Sequence, residues 1–202
     1  MWGVSPEAGQ FASGSGSYDP NIVIPYLESV TNYITSLDFT PDAVDLGCGD
    51  FSIGNQLRPL FGTYTACDVV AKVIDRNCTR YATRGVDFRV LDIANDPLPP
   101  GDIVFIRQVL QHLSNETIDR VLTQVMETYS VLILTEHLPI DPAFVPNIDI
   151  PTGPGVRLDF GSGVDITRPP FRVPVSSQEV ICDVMLDDSR ILTTVYHFQR
   201  LN

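Results

Sequence analysis

The stretch that decides the fold is Asp45-Leu46-Gly47-Cys48-Gly49-Asp50-Phe51-Ser52-Ile53-Gly54. It follows the apolar run Ala43–Leu46 and leads into an amphipathic segment, so it reads as a buried strand passing through a glycine turn into a helix. Glycine suits a place where a ligand must approach the backbone closely or where φ is positive. In an open α/β sheet, ligands sit outside the carboxyl ends of the strands, where this turn falls. The glycines at 47, 49 and 54 do not make GxGxxG, because position 52 is Ser. That counts against a dinucleotide, whose pyrophosphate wants the full spacing.

Downstream, short apolar runs alternate with segments of helical spacing. The runs are Ala43–Leu46, Thr63–Cys67, Phe88–Leu91, Ile103–Ile106 and Val131–Leu134. Between them, Ala71–Tyr81 and Glu116–Tyr129 carry helical periodicity, with Ile118, Leu122, Val125 and Tyr129 on one face. Strands alternating with helices predict crossover units and a mostly parallel sheet covered on both sides. Upstream, Asp19-Pro20 is a cap followed by proline at the first helical position. Val23, Tyr26, Leu27, Val30, Ile34 and Leu37 then predict a helix over roughly 20–37. Val180–Leu186 and Ile191–Phe198, separated by Asp187-Asp188-Ser189, predict an antiparallel hairpin.

Two of the strand-like runs after the glycine turn also end in an acid. Asp68 closes the second, 23 residues after Asp45, and is placed to accept ribose hydroxyls. Asp92 closes the third, placed to accept from an exocyclic amine, with Ile93 against a ring. A single strand-end Asp is also commonly a helix cap. Three at successive strand ends, with a glycine turn first, point together to a ligand.

DLGCGD, CDVV, LDI and IRQVLQHLS, in that order over about residues 40–137, resemble the class I S-adenosylmethionine-dependent methyltransferases. GCGDF, RQVLQHLS, TEHLP, VPN-D and RPPF are similar to small bacterial members of unassigned substrate. The resemblance implies a three-layer, Rossmann-like sandwich around seven strands in the order 3-2-1-4-5-7-6, strand 7 antiparallel. It implies S-adenosylmethionine as cofactor, with Asp45, Gly47, Cys48 and Gly49 at its methionine end. Asp68 and Val69 would serve the ribose side and Asp92 with Ile93 the adenine. Arg107, Gln108 and His112 would flank the reacting centre. The family often has a third glycine where Phe51 stands, so Phe51 is expected to pack over the loop.

The 202 residues suit one domain. It divides into an N-terminal segment 1–18, a cofactor-binding core 19–137, a lid or acceptor loop 138–174 and a closing hairpin 175–202. The loop is rich in Pro and Gly yet holds Phe144, Val145, Ile148, Ile150, Val156, Leu158, Phe160 and Phe171. These are too many apolar groups for a linker, so an ordered substrate wall is expected. Within it, Asn147, Asp149 and Arg157 are candidate substrate-binding residues, Arg157 as a carboxylate clamp. Turn formation or packing explains the same residues. The run Ser13–Ser17 reads as a flexible tail or a flap over the cofactor.

His137 follows Glu136 at the end of the fifth strand and is a candidate base, with Glu136 to orient it or to form a surface pair. His112, at the strand-helix junction, is a second candidate, or closes the turn. His197 alternates with apolar residues and reads as structural.

Lys plus Arg number 13 against 25 Asp plus Glu, a net charge of −12. This opposes nucleic-acid binding, which rests on clustered cations. It suits a cofactor that carries a sulfonium and no phosphate. No apolar stretch is long enough to span a membrane, and the first ten residues do not read as a signal peptide. Cys48, Cys67, Cys78 and Cys182 form no metal-ligand pattern. They read as reduced buried thiols in a cytoplasmic protein without metal. The expected activity is methyl transfer to a small-molecule acceptor. The competing readings are a nicotinamide-dependent oxidoreductase and a non-catalytic binder of the same cofactor.

Overall fold

Strands β1 (Ala43–Leu46), β2 (Tyr64–Asp68), β3 (Asp87–Val90), β4 (Ile103–Arg107) and β5 (Val131–Pro139) form where the apolar runs predict them. They belong to one seven-stranded sheet with β6 (Val175–Met185) and β7 (Ser189–Phe198), in the order β3-β2-β1-β4-β5-β7-β6. Pairing is parallel from β3 through β5, and β7 runs antiparallel to both neighbours. The structure is a computed structural model, described here for residues 17–198. The Ser13–Ser17 run therefore lies outside the described residues except for Ser17.

Helix α1 (Pro20–Thr35) starts as the sequence predicts: the Asp19 side chain accepts from the Asn21 amide, and Pro20 takes the first turn. Ile22, Tyr26, Val30 and Ile34 recur every four residues and are buried. Tyr26, Val30 and Ile34 lie over one face of the sheet in a cluster with Ala43, Ile103, Phe105, Ile133 and Val195. On the opposite face, α4 (Asn115–Thr128) buries Ile118, Val121, Leu122 and Val125 against Val44, Leu46, Val104, Ile106, Leu132 and Leu134. Between these layers β1 and β4 are apolar at nearly every position, as strands covered on both faces must be. Helices α2 (Gly54–Leu57) and α3 (Ala71–Arg80) complete the crossovers.

Two strands are longer than their apolar runs. β5 continues through Thr135–Pro139, and β6 begins at Val175, in the polar stretch Ser176–Glu179. Both extensions are carried by β7. It pairs with β5 from Val131↔His197 to Pro139↔Ser189 and with β6 from Val175↔Phe198 onward. Backbone pairing, not side-chain hydrophobicity, sets these ends. His197 is structural, with Nε2 at 3.3 Å from the Tyr33 hydroxyl.

Residues 138–174 hold one short 3-10 turn, Arg157–Phe160, and are ordered by side chains that replace backbone pairing. Asn147, at φ 60°, donates to the carbonyls of Asp165 (2.8 Å) and Pro169 (2.9 Å) and accepts from the Asp165 amide. Ser162 donates to Val145 O at 2.7 Å. Of the eight apolar residues expected to anchor the segment, Ile150 is buried, whereas Val145, Ile148 and Phe160 are exposed. Val164, Ile166 and Val173 do most of the anchoring. At Gly163 an added Cβ would stand 2.4 Å from the Leu138 side chain, so the segment lies hard against the end of β5.

Candidate cofactor and acceptor site

A cavity of about 580 Å³ opens at the carboxyl ends of β1, β2 and β4. It falls within the range of small-molecule sites. The glycine turn is its floor. Gly47 and Gly49 have φ of 86° and 53°, and a Cβ at Gly47 would lie 2.4 Å from Val109 Cγ2. Any side chain there would clash with the turn after β4. The amides of Gly47 and Cys48 both donate to Cys67 O, at 2.8 and 2.9 Å. Phe51 does not pack over this loop. It is fully buried beneath it, edge-on to Tyr64, Tyr81 and Phe88.

The three strand-end acids all line the cavity. Each is also engaged by the fold, so cap and ligand readings meet in the same side chains. Asp68 accepts from the Gly49 amide (3.1 Å) and the Val70 amide (2.9 Å). Asp92 accepts from the Ala94 amide (2.9 Å) and Asn95 Nδ2 (2.8 Å). A carboxylate has about four acceptor positions, so each keeps capacity for a ligand. Asp45 accepts from the Tyr64 hydroxyl at 3.3 Å. Loss of water around it pushes its carboxyl up to about 7, partly offset by Tyr64 and Arg107. Val69, Leu91, Ile93 and Leu113 add apolar wall beside Asp92.

Arg107 ends β4, with its guanidinium 4.9 Å from the Tyr26 ring centroid and donating to Ser17 Oγ at 3.2 Å. Ser17, the last residue of the run read as a tail or a flap, lines the cavity, and so does Tyr26, which the sequence pattern did not single out. Tyr26 was legible only as part of a helix face. Gln108 also lines the cavity at φ 55°, its amide donating to Thr135 O at 2.7 Å.

The structure separates the two candidate bases. His112 lines the cavity in the 3-10 turn Leu110–His112. Its Nδ1 is 3.1 Å from Gly155 O, a carbonyl that only accepts, so the proton is assigned to Nδ1 and Nε2 keeps the lone pair. Burial lowers its basicity, leaving the ring neutral at pH 7. His137 is not among the lining residues; its Nε2 is 2.9 Å from Ser189 Oγ, across the β5–β7 pair. Glu136 points to the other face of β5, as alternation demands. It is 3% exposed and forms neither a surface pair nor a contact that orients His137. Burial pushes its carboxyl up to about 8, against the pull of Arg157 and the Leu110 and Gln111 amides.

Asn147, Asp149 and Arg157 are not brought to the cavity either. Asp149 accepts from the Asn115 amide at 2.7 Å. Arg157 has no exposed surface and donates to Ile148 O (3.1 Å), Leu110 O (2.9 Å) and Asn115 Oδ1 (2.8 Å). Its fork ties the 138–174 segment to the turn that carries His112, which leaves it no role as a substrate clamp. The segment's contribution to the lining is Thr152. Of the four cysteines, none is in a disulfide; Cys67 and Cys182 are buried, Cys48 lines the cavity and Cys78 is exposed, contrary to the expectation of buried thiols.

Residues 44–129 match the family model described as a methyltransferase domain. The matched stretch runs from β1 through α4, and the sheet has the strand order of the α/β methyltransferase fold. Structures agree in fold. The N-methyltransferase NodS from Bradyrhizobium japonicum, in complex with S-adenosylhomocysteine, superposes with a TM-score of 0.65 at 13% identity, covering 90% of each chain. The N-terminal domain of EvdMO1, in the presence of S-adenosylhomocysteine and D-fucose, gives 0.62 at 14% identity, over 98% of this chain and 90% of that one. Magnesium protoporphyrin IX methyltransferase from Synechocystis, with bound S-adenosylmethionine, gives 0.57 at 16% identity, over 93% and 86%. No protein of curated function matches the sequence significantly. Among the described residues, no helix is long and apolar enough to cross a membrane.

Proposed function

We propose that this methyltransferase transfers the methyl group of S-adenosylmethionine to a neutral, polar small molecule in the cytoplasm. The observation that carries the reading is the single cavity in which Asp45, Asp68 and Asp92 surround a glycine floor beside an apolar wall. Carboxylates suit a cationic cofactor and its ribose hydroxyls, and the wall suits a purine. Asp68 and Val69 serve the ribose side, Asp92 and Ile93 the adenine, and Asp45 with Gly47, Cys48 and Gly49 the methionine end. A small acceptor is supported by related folds, one determined in the presence of D-fucose and another a magnesium protoporphyrin IX methyltransferase. The net charge of −12 speaks against a nucleic-acid acceptor.

When bound, the cofactor supplies an already activated methyl group on a sulfonium. Its sulfur would keep the electron pair of the broken bond as the methyl passed to the acceptor atom. The chain's residues hold the two partners in line, which supplies most of the acceleration. Gln108, Gln111, His112 and Thr152 line the cavity with uncharged polar groups. His112 Nε2 takes the proton of an acceptor hydroxyl, with Gly155 O fixing the ring.

Titration calorimetry with S-adenosylhomocysteine tests the cofactor reading, and absence of binding at millimolar concentration refutes it. With an acceptor in hand, His112→Gln lowers kcat and removes the lower limb of the pH profile without weakening cofactor binding. An unchanged profile would make His112 a wall residue.

A further inference from the structure

Three contacts in the turn after β4 run in one direction. Gln111 Nε2 lies 3.3 Å from Gln108 O and 3.4 Å from His112 Nε2, and His112 Nδ1 lies 3.1 Å from Gly155 O. Both carbonyls only accept, so Gln111 turns its NH2 group to Gln108 and His112 turns an N–H to Gly155. The second hydrogen of Gln111 Nε2 then meets the lone pair on His112 Nε2. With both hydrogens engaged, Oε1 is the polar atom of Gln111 left over. Among the described residues it accepts no hydrogen bond, and it is not sealed inside the protein. Gln111 is 8% exposed and lines the cavity beside His112, so this oxygen belongs to the cavity wall. The turn that carries it is held from outside: Arg157 Nη1 donates to Leu110 O at 2.9 Å, and the Gly153 amide donates to His112 O at 3.0 Å. The wall therefore offers two acceptors side by side, an imidazole nitrogen and an amide oxygen. A ligand that fills both carries donors on neighbouring atoms.

We propose that Gln111 selects the methyl acceptor, and that the acceptor is a vicinal diol: the reacting hydroxyl meets His112 Nε2 and its neighbour donates to Gln111 Oε1. This rests on the reading that His112 takes the acceptor's proton. The contact from Gln111 to His112 is the longest of the three and yields the lone pair to the reacting hydroxyl. That O–H bond breaks and its proton passes to Nε2. The oxygen gains the methyl carbon, and the electron pair of the broken carbon–sulfur bond remains with the cofactor's sulfur. The neighbouring O–H is kept. An acceptor with a single hydroxyl covers Oε1 without giving it a donor, and that unpaired oxygen is the penalty that excludes it.

The test uses the full chain with S-adenosylmethionine, alongside calorimetry with S-adenosylhomocysteine. Methyl transfer is measured to catechol against phenol and guaiacol, and to methyl mannoside against the analogue deoxygenated at its central ring hydroxyl, which has no vicinal pair left. The aromatic and sugar arms distinguish the two sources of such a diol. At least one diol is expected to exceed its analogues by roughly 10- to 100-fold in kcat/KM. Gln111→Leu brings that diol down toward its analogues, so the ratio falls toward one, and retained binding of S-adenosylhomocysteine shows that the variant is folded. Gln111→Glu, which keeps an acceptor oxygen, keeps the ratio and serves if the Leu variant does not fold. Equal rates on diol and analogue, a ratio that survives Gln111→Leu or is lost in Gln111→Glu, or no transfer to either diol while S-adenosylhomocysteine binds, each overturns the proposal and leaves the cofactor reading standing. Failure of S-adenosylhomocysteine to bind overturns both.

Discussion

Asp68 and Arg157 are both charged residues held by backbone partners, yet one faces a cavity and the other faces the protein. Asp68 and Asp92 stand at strand ends, where the sheet stops and the cavity opens. They cap local turns with some acceptor positions and keep the rest for a ligand. Between 138 and 174 the chain has almost no regular structure, so its carbonyls need partners from side chains. Arg157 and Asn147 are spent on that need. Polar residues in a loop therefore report a binding site only where the backbone is already satisfied.

The comparison breaks most visibly at Arg157. Arg157→Ala strips partners from two carbonyls and Asn115 and leaves Glu136 without its nearest cation. We expect a loss of about 3–5 kcal/mol in urea unfolding. A cavity-facing role would instead leave stability intact and change only binding. At Asp68 the sign of the comparison reverses: Asp68→Ala weakens S-adenosylhomocysteine binding by about 1.5–3 kcal/mol in calorimetry. Affinity equal to that of the unmutated protein would refute the ribose assignment.

Glu136 sharpens it through pH. Its folded carboxyl titrates near 8, above the ordinary 4.5. The folded state thus binds the extra proton, and this contribution to stability is complete below about 4.5 and lost as pH rises through 8. Glu136→Gln removes that loss, so unfolding curves at increasing pH should show the variant gaining on the unmutated protein; parallel curves would contradict the burial. The smallest effect belongs to His137. Its contact with Ser189 is one half-buried hydrogen bond, so His137→Ala costs about 1 kcal/mol in unfolding and leaves cofactor affinity unchanged.

The order of strands and helices, the glycine turn and the three strand-end acids were legible in the residues because each depends on neighbours a few positions away. Alternation, helical spacing and the end of an apolar run are local properties. The length of β5 was not, because a strand 50 or more residues distant pairs with it, nor that of β6, whose polar first half is held by backbone pairing to β7. Nor was the division of labour between His112 and His137. The sequence left Glu136 free to orient His137; the two part company because β5 runs on through Pro139 and adjacent residues of a strand face opposite sides. Which of those sides meets the cavity depends on how the sheet is layered and where residues 138–174 return across it. Only the tertiary structure decided that Glu136 goes under the turn of His112, that His137 meets β7, and that Arg157 ties the 138–174 segment down instead of holding a substrate.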